Sequence, residues 1–118
     1  MFKLPNPDKP LVVDWPVHIP VPLDGGGVAR HKIAIRYRIL PQSRLDELQK
    51  AELLADVKDG IAPLLHEVVA GWRHVQDEAG NELDFSPAAL DRLLDISSAR
   101  VALLAAFYEC AGGRKAKN

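Results

Sequence analysis

From Val17 onward the chain alternates, with Val17, Ile19, Val21 and Leu23 on one side and His18, Pro20 and Pro22 on the other. That period of two predicts a strand with one buried face. Pro16, Pro20 and Pro22 lie an even number of residues apart, so the N–H groups they lack all belong to the same strand edge. Such an edge cannot sit inside a sheet, and the opposite edge must hold the partner strand. Asp24-Gly25-Gly26-Gly27 supplies a turn. Ile33, Ile35, Tyr37 and Ile39 then alternate with Lys32, Ala34, Arg36 and Arg38, which completes a hairpin whose first strand is the edge.

Beyond Pro41 the pattern turns helical. Ser43 is the expected N-cap, with Asp46 and Glu47 in the first turn. Leu45, Leu48, Glu52 and Ala55 fall on one stripe, Leu53, Leu54 and Val57 widen it, and Lys58-Asp59-Gly60 is the expected stop. Ile61 to Ala70 reads as a second, shorter helix carrying Leu64, Leu65, Val68 and Val69, closed by Gly71. Trp72 and Val75 lead into Asp77-Glu78-Ala79-Gly80-Asn81, where Gly80 can take the left-handed conformation that closes a tight loop. Leu83 and Phe85 form the apolar face of a return strand. Ser86 then caps a helix with Pro87 at its first position, and Phe85 and Leu90 are spaced as a hydrophobic staple. That helix runs to about Asp95 and is expected to bury Leu90, Leu93 and Leu94. Ser97 or Ser98 opens the last one. There Val101, Leu104, Ala105 and Tyr108 make one stripe with Leu103 and Phe107 beside it, an apolar face wider than one packing partner needs. Gly112-Gly113 ends it.

These elements predict one α+β domain over residues 17–113, in which an N-terminal β-hairpin and a second short hairpin at Trp72–Phe85 pack with about four helices. Residues 1–16, with Pro5, Pro7, Pro10 and Pro16, read as an extended arm, and 114–118 as a basic tail. A chain of 118 residues that is 47% hydrophobic is long and apolar enough to bury a core. Aromatics make up only 6%, so that core must rest on Leu, Val, Ile and Ala. No apolar stretch has the length of a signal h-region or a membrane span, and a soluble, intracellular protein is expected.

Charge and chemistry exclude more than they assign. A net charge of −1 argues against broad adhesion to nucleic acid or anionic membrane. The one cysteine, Cys110, allows no internal disulfide, and as a late residue of an apolar helix beside Glu109 it lacks the surroundings that favour a thiolate. His66-Glu67 is followed by Ala70 where the zinc-protease motif needs its second histidine. Neither His66 with His74 nor His18 with His31 has a Cys or carboxylate at ligand spacing. Gly25-Gly26-Gly27 lacks the helix and lysine of a phosphate cradle. Asp77, Glu78, Glu82 and Asp84 surround one turn without calcium-loop spacing and read as a solvated acidic tip. No cofactor, no metal and no catalytic constellation are expected. Lys32, Arg36 and Arg38 form a basic strand face, but no aromatic platform shares it.

Gly71-Trp72, Val75, Asp77-Glu78, Gly80, Leu83, Phe85-Ser86 and Leu90 to Leu94 together resemble the small tail assembly chaperones of long-tailed bacteriophages and prophages. The likeness is strongest over residues 68–94 and extends more loosely to the hairpin of residues 17–39, the helix after it and the ending in Lys117-Asn118. It implies a non-enzymatic protein that coats the long helical tape measure protein, helps recruit the tail tube protein and self-associates. It also implies action in the bacterial cytoplasm and absence from the mature virion. The family has no catalytic residues to carry over. Candidate partner contacts are Leu103, Phe107, Trp72, Arg36 and Arg38, with Trp72 and Phe107 also readable as plain core. Three other readings stay open: a structural head–tail connector or tail completion subunit, a small nucleic-acid-binding regulator using the Lys32–Arg38 strand, and, weakest, an enzyme whose constellation would have to be assembled from residues that read as ordinary.

Overall fold

The computed structural model describes residues 1–54 and 62–116. The described residues form a three-stranded antiparallel sheet and four helices in one small α+β domain. Strand β1 (Leu11–Pro22) pairs with β2 (Val28–Ile39), and β2 pairs on its other side with β3 (Val69–Arg73), giving the order β1-β2-β3. The proline argument holds: β1 is an edge strand, with Pro16, Pro20 and Pro22 opposite Ala34, Arg30 and Val28. The turn between β1 and β2 is tied by Leu23 N donating to Gly27 O at 2.8 Å, with Gly25 and Gly26 at φ +87° and +92°.

β1 starts six residues earlier than the alternation from Val17 implies, since Leu11 already pairs with Ile39. The extended arm therefore ends at Pro10 rather than residue 16. Prolines exclude helix but do not exclude an edge strand. The helical reading of Ile61–Ala70 is corrected as well. Helix α2 covers Ala62–Val68, and Val69 to Arg73 leave it as β3 to occupy the free edge of β2. A bulge between Arg36 and Tyr37 adjusts that register. The second hairpin is reduced to its turn. Asp77 N donates to Asn81 O, Leu83 N donates to Val75 O, and Gln76 bridges Glu82, while Leu83–Phe85 join no sheet. Gly80 has φ +83°, the left-handed conformation the turn requires.

Helix α1 (Gln42–Leu54) begins before Ser43, so Ser43 is not its cap. The Pro41 carbonyl accepts from Arg44 N and Leu45 N, and the first turn holds no acidic residue. The expected stop at Lys58-Asp59-Gly60 and the positions of Ala55 and Val57 lie outside the described residues. Helix α3 (Pro87–Leu94) follows its sequence signals closely: Ser86 Oγ accepts from Ala89 N at 3.0 Å, and Pro87 opens the helix. α3 buries Leu90 and Leu94, with Leu93 half-buried. Helix α4 (Ser97–Ala111) is capped by Ile96 without a side-chain bond, and Arg100 Nε donates back to Leu94 O, tying α4 to the end of α3. Gly112 fits its stop because an added Cβ would lie 2.9 Å from the Tyr108 carbonyl oxygen.

The core gathers on one face of the sheet. Val17, Ile19, Ile33, Ile35 and Tyr37 pack there with Leu45 and Leu48 of α1, Leu64, Leu65 and Val68 of α2, Leu90 and Leu94 of α3, and Leu103 and Phe107 of α4. Tyr37 stacks at a tilt on Phe107 with ring centroids 5.6 Å apart, and its hydroxyl donates to Leu103 O at 2.7 Å. Burial pushes the Tyr37 hydroxyl far above the ordinary tyrosine range, so it stays a donor. Among the described residues no helix is long and apolar enough to cross a membrane.

Candidate interaction surface

The face of α4 that meets the sheet carries Ala99, Leu103, Ala106 and Phe107, all buried. Leu103 and Phe107 are 0% exposed, so neither is a free partner contact, which corrects that expectation. The opposite stripe is the exposed one. Val101 is 66% and Tyr108 40% exposed, and Ala105 lies between them. Next to the stripe, β1 and β2 contribute His18, Pro20 and Arg30, and together with Val101, Ala102 and Ala105 they line an open groove of about 560 Å³. Along its helix side the groove runs from the polar Ser97 and Ser98 at the start of α4 to the apolar Val101, Ala102 and Ala105, and the Arg30 cation rims it. At the far end of the stripe the Tyr108 hydroxyl accepts from Gln49 Nε2 at 2.8 Å, which pins its ring beside Phe107.

The other three candidates are half-engaged. Trp72 is half-buried; its Nε1–H donates to Leu83 O at 2.8 Å and its ring meets Phe85 edge-on at 5.1 Å. It braces the corner between β3 and α3. Arg38 donates to the Glu67 backbone oxygen at 2.9 Å, where it ties β2 to α2. Arg36 is exposed on the outer face of the sheet, its Nε donating to Asp14 Oδ1 at 3.1 Å, and Arg73 donates to the other oxygen of the same carboxylate. The structure therefore does not bring the five residues into one surface. The groove residues Pro20, Val101 and Ala105 do form one. Val101 and Ala105 belong to the stripe visible in the sequence, but the spacing alone does not say which of two adjacent apolar faces turns inward.

Electrostatics mark restraint rather than reactivity. The Arg36 hydrogen bond, with help from the Arg36 and Arg73 charges, holds the Asp14 carboxyl below the ordinary carboxylate range against some opposing desolvation. Arg44 does the same for Glu67, donating to both its oxygens at 2.7 Å. Burial raises the Cys110 thiol, which keeps it protonated and weakly nucleophilic. His66 Nε2 lies 2.6 Å from Asp91 Oδ1, linking α2 to α3. Among the described residues no group of three His, Cys, Asp or Glu side chains is placed to hold a metal ion. Comparison of the chain with protein-family models, with curated proteins and with solved structures gives no match.

Proposed function

We propose that the chain acts by binding, as a tail assembly chaperone of the long-tailed phage type. In this reading it covers apolar faces of the tape measure protein until tail tube subunits replace it. The observation that carries the reading is the exposed apolar stripe of α4 beside the groove against β1, with Val101 two-thirds exposed. A coiled, amphipathic partner offers apolar residues at i, i+3, i+4 and i+7, and a helix laid along such a groove is a recurrent recognition mode. Arg30 on the rim favours a partner helix with acidic flanks. The Gly71–Leu94 corner, which carries the family resemblance, supports the reading from the sequence side.

The test is co-expression of the tagged chain with fragments of the long helical protein encoded beside it. An otherwise insoluble fragment should co-purify in several copies of the chain per partner. Val101→Asp should reduce that recovery at least tenfold while circular dichroism stays unchanged, because Val101 contributes little to the core. A fragment that never co-purifies would remove the reading. Stoichiometric presence of the chain in finished particles would favour the connector reading instead.

A further inference from the structure

The groove between α4 and β1 continues toward the C-terminal end of the helix. A smaller recess of about 160 Å³ shares His18, Arg30, Ala102 and Ala105 with it and reaches on to Pro16 and Glu109. The two recesses make one furrow. The larger holds Pro20 with Ser97 and Ser98, and the smaller holds Pro16 with Glu109, so β1 and α4 run antiparallel along it.

Opposite charges stand at separate places along this furrow. Arg30 is exposed and lies opposite Pro20 in the sheet register. Glu109 is half-buried beside Pro16. Neither forms an ion pair among the described residues, so each is open to a charge brought from outside. Between them the floor is Ala102, Ala105 and Ala106, short side chains that leave room for one large aliphatic group. From Pro20 to Pro16 the strand runs about 13 Å. A helix covers that length in about 8 residues, a little over two turns.

The open edge of β1 decides the form of what lies there. Pro16 and Pro20 offer no N–H, so an extended segment along that edge would leave its own carbonyls unpaired. A helix has its backbone bonds satisfied internally and brings only side chains to the contact. We infer that the furrow reads the order of side chains along a partner helix: an acidic residue on Arg30, a large aliphatic over the alanines, and a basic residue on Glu109 about two turns further along. This rests on the groove being a helix-docking site, as proposed above. Arg30 accounts for one flank of such a helix, and Glu109 sets the other. A stretch of partner with like charges at both positions meets one attraction and one repulsion, so the furrow selects among the many apolar faces that a long coiled protein displays.

The experiment uses three synthetic peptides of about 20 residues, long enough to hold a helix. They share one leucine face and differ only at two positions two turns apart, where one carries Glu and Lys, one two Glu and one two Lys. Fluorescence anisotropy with the full chain at low salt should favour the mixed peptide about fivefold over either like-charged one, with helical circular dichroism gained on binding. Glu109→Lys should move the preference to the two-Glu peptide, and Arg30→Glu should move it to the two-Lys peptide. Glu78→Lys makes the same change in net charge on the turn after β3, the far edge of the sheet, and should leave the mixed peptide preferred. A wild type that binds none of the three, or all alike, would overturn the inference. So would a shift with Glu78→Lys equal to that with Glu109→Lys, or binding without any gain of helix. Peptides bound alike beside a co-purifying tape measure fragment would end the charge code and leave the chaperone reading standing. Peptides discriminated with no fragment recovered would do the opposite.

Discussion

Tyr37 is where the sheet and the last helix meet, through its ring on Phe107 and its hydroxyl on the Leu103 carbonyl. Tyr37→Phe should lower stability by about 1 kcal/mol, the usual net contribution of one buried hydrogen bond, read as a shifted urea midpoint at unchanged slope. Phe107→Ala removes a fully buried ring and should lower stability by about 3–5 kcal/mol, whereas Val101→Ala on the opposite face should stay within about 0.5 kcal/mol. A large effect at Val101 and a small one at Phe107 would invert the assignment of the two faces. That assignment is the point at which the sequence is least informative. α4 is apolar nearly all round, from Val101 through Leu103, Leu104 and Ala105 to Phe107, so periodicity alone cannot select the inward side. The choice is made by packing against β1. On the strands, by contrast, Ile33, Ile35 and Tyr37 alternate with charged residues, and their inward direction is plain from the pattern.

Among the elements, those specified by local rules match expectation, and those specified by distant partners do not. Gly80 at its turn and Ser86-Pro87 at the start of α3 act within four residues of themselves, and each takes the conformation its chemistry demands. β3 differs. Val68 and Val69 continue an apolar run that serves helix or strand equally, and the free edge of β2 decides the matter from more than thirty residues away. Ser43 fails as a cap because the Pro41 carbonyl starts α1 earlier. The edge prolines carry a testable duty. Pro20→Thr with Pro22→Thr returns two N–H donors to the open side of β1, and the variant should form thioflavin-positive aggregates faster than the wild type. Equal rates would mean that something other than the prolines protects that edge.

For the whole molecule, the near-neutral net charge conceals a division between a cationic outer sheet face and an acidic turn. The individual charges are visible in the sequence, but only the sheet register places Arg36 and Arg73 on one Asp14 carboxylate. Its acid dependence follows from linkage. A carboxyl held low in the folded state adds stability that is complete above its unfolded value, about pH 4, and disappears as pH falls through the lower folded value. The wild type should therefore lose stability on acidification below about pH 4. Asp14→Asn should show a shallower loss and converge on the wild type at the lowest pH, as followed by urea midpoints across that range. Parallel curves would mean that the Asp14 cluster contributes nothing to folding. The packing of α4 on β1 has one more consequence, which concerns synthesis. The first strand to leave the ribosome is covered by the last helix made, so Val17 and Ile19 of β1, and Tyr37 of β2, lack the part of their cover that α4 supplies until translation is nearly complete. A chain of this shape exposes its sheet to other nascent and misfolded chains while it is made, and a stop codon before α4 would yield not a smaller version of the protein but a sticky, short-lived one.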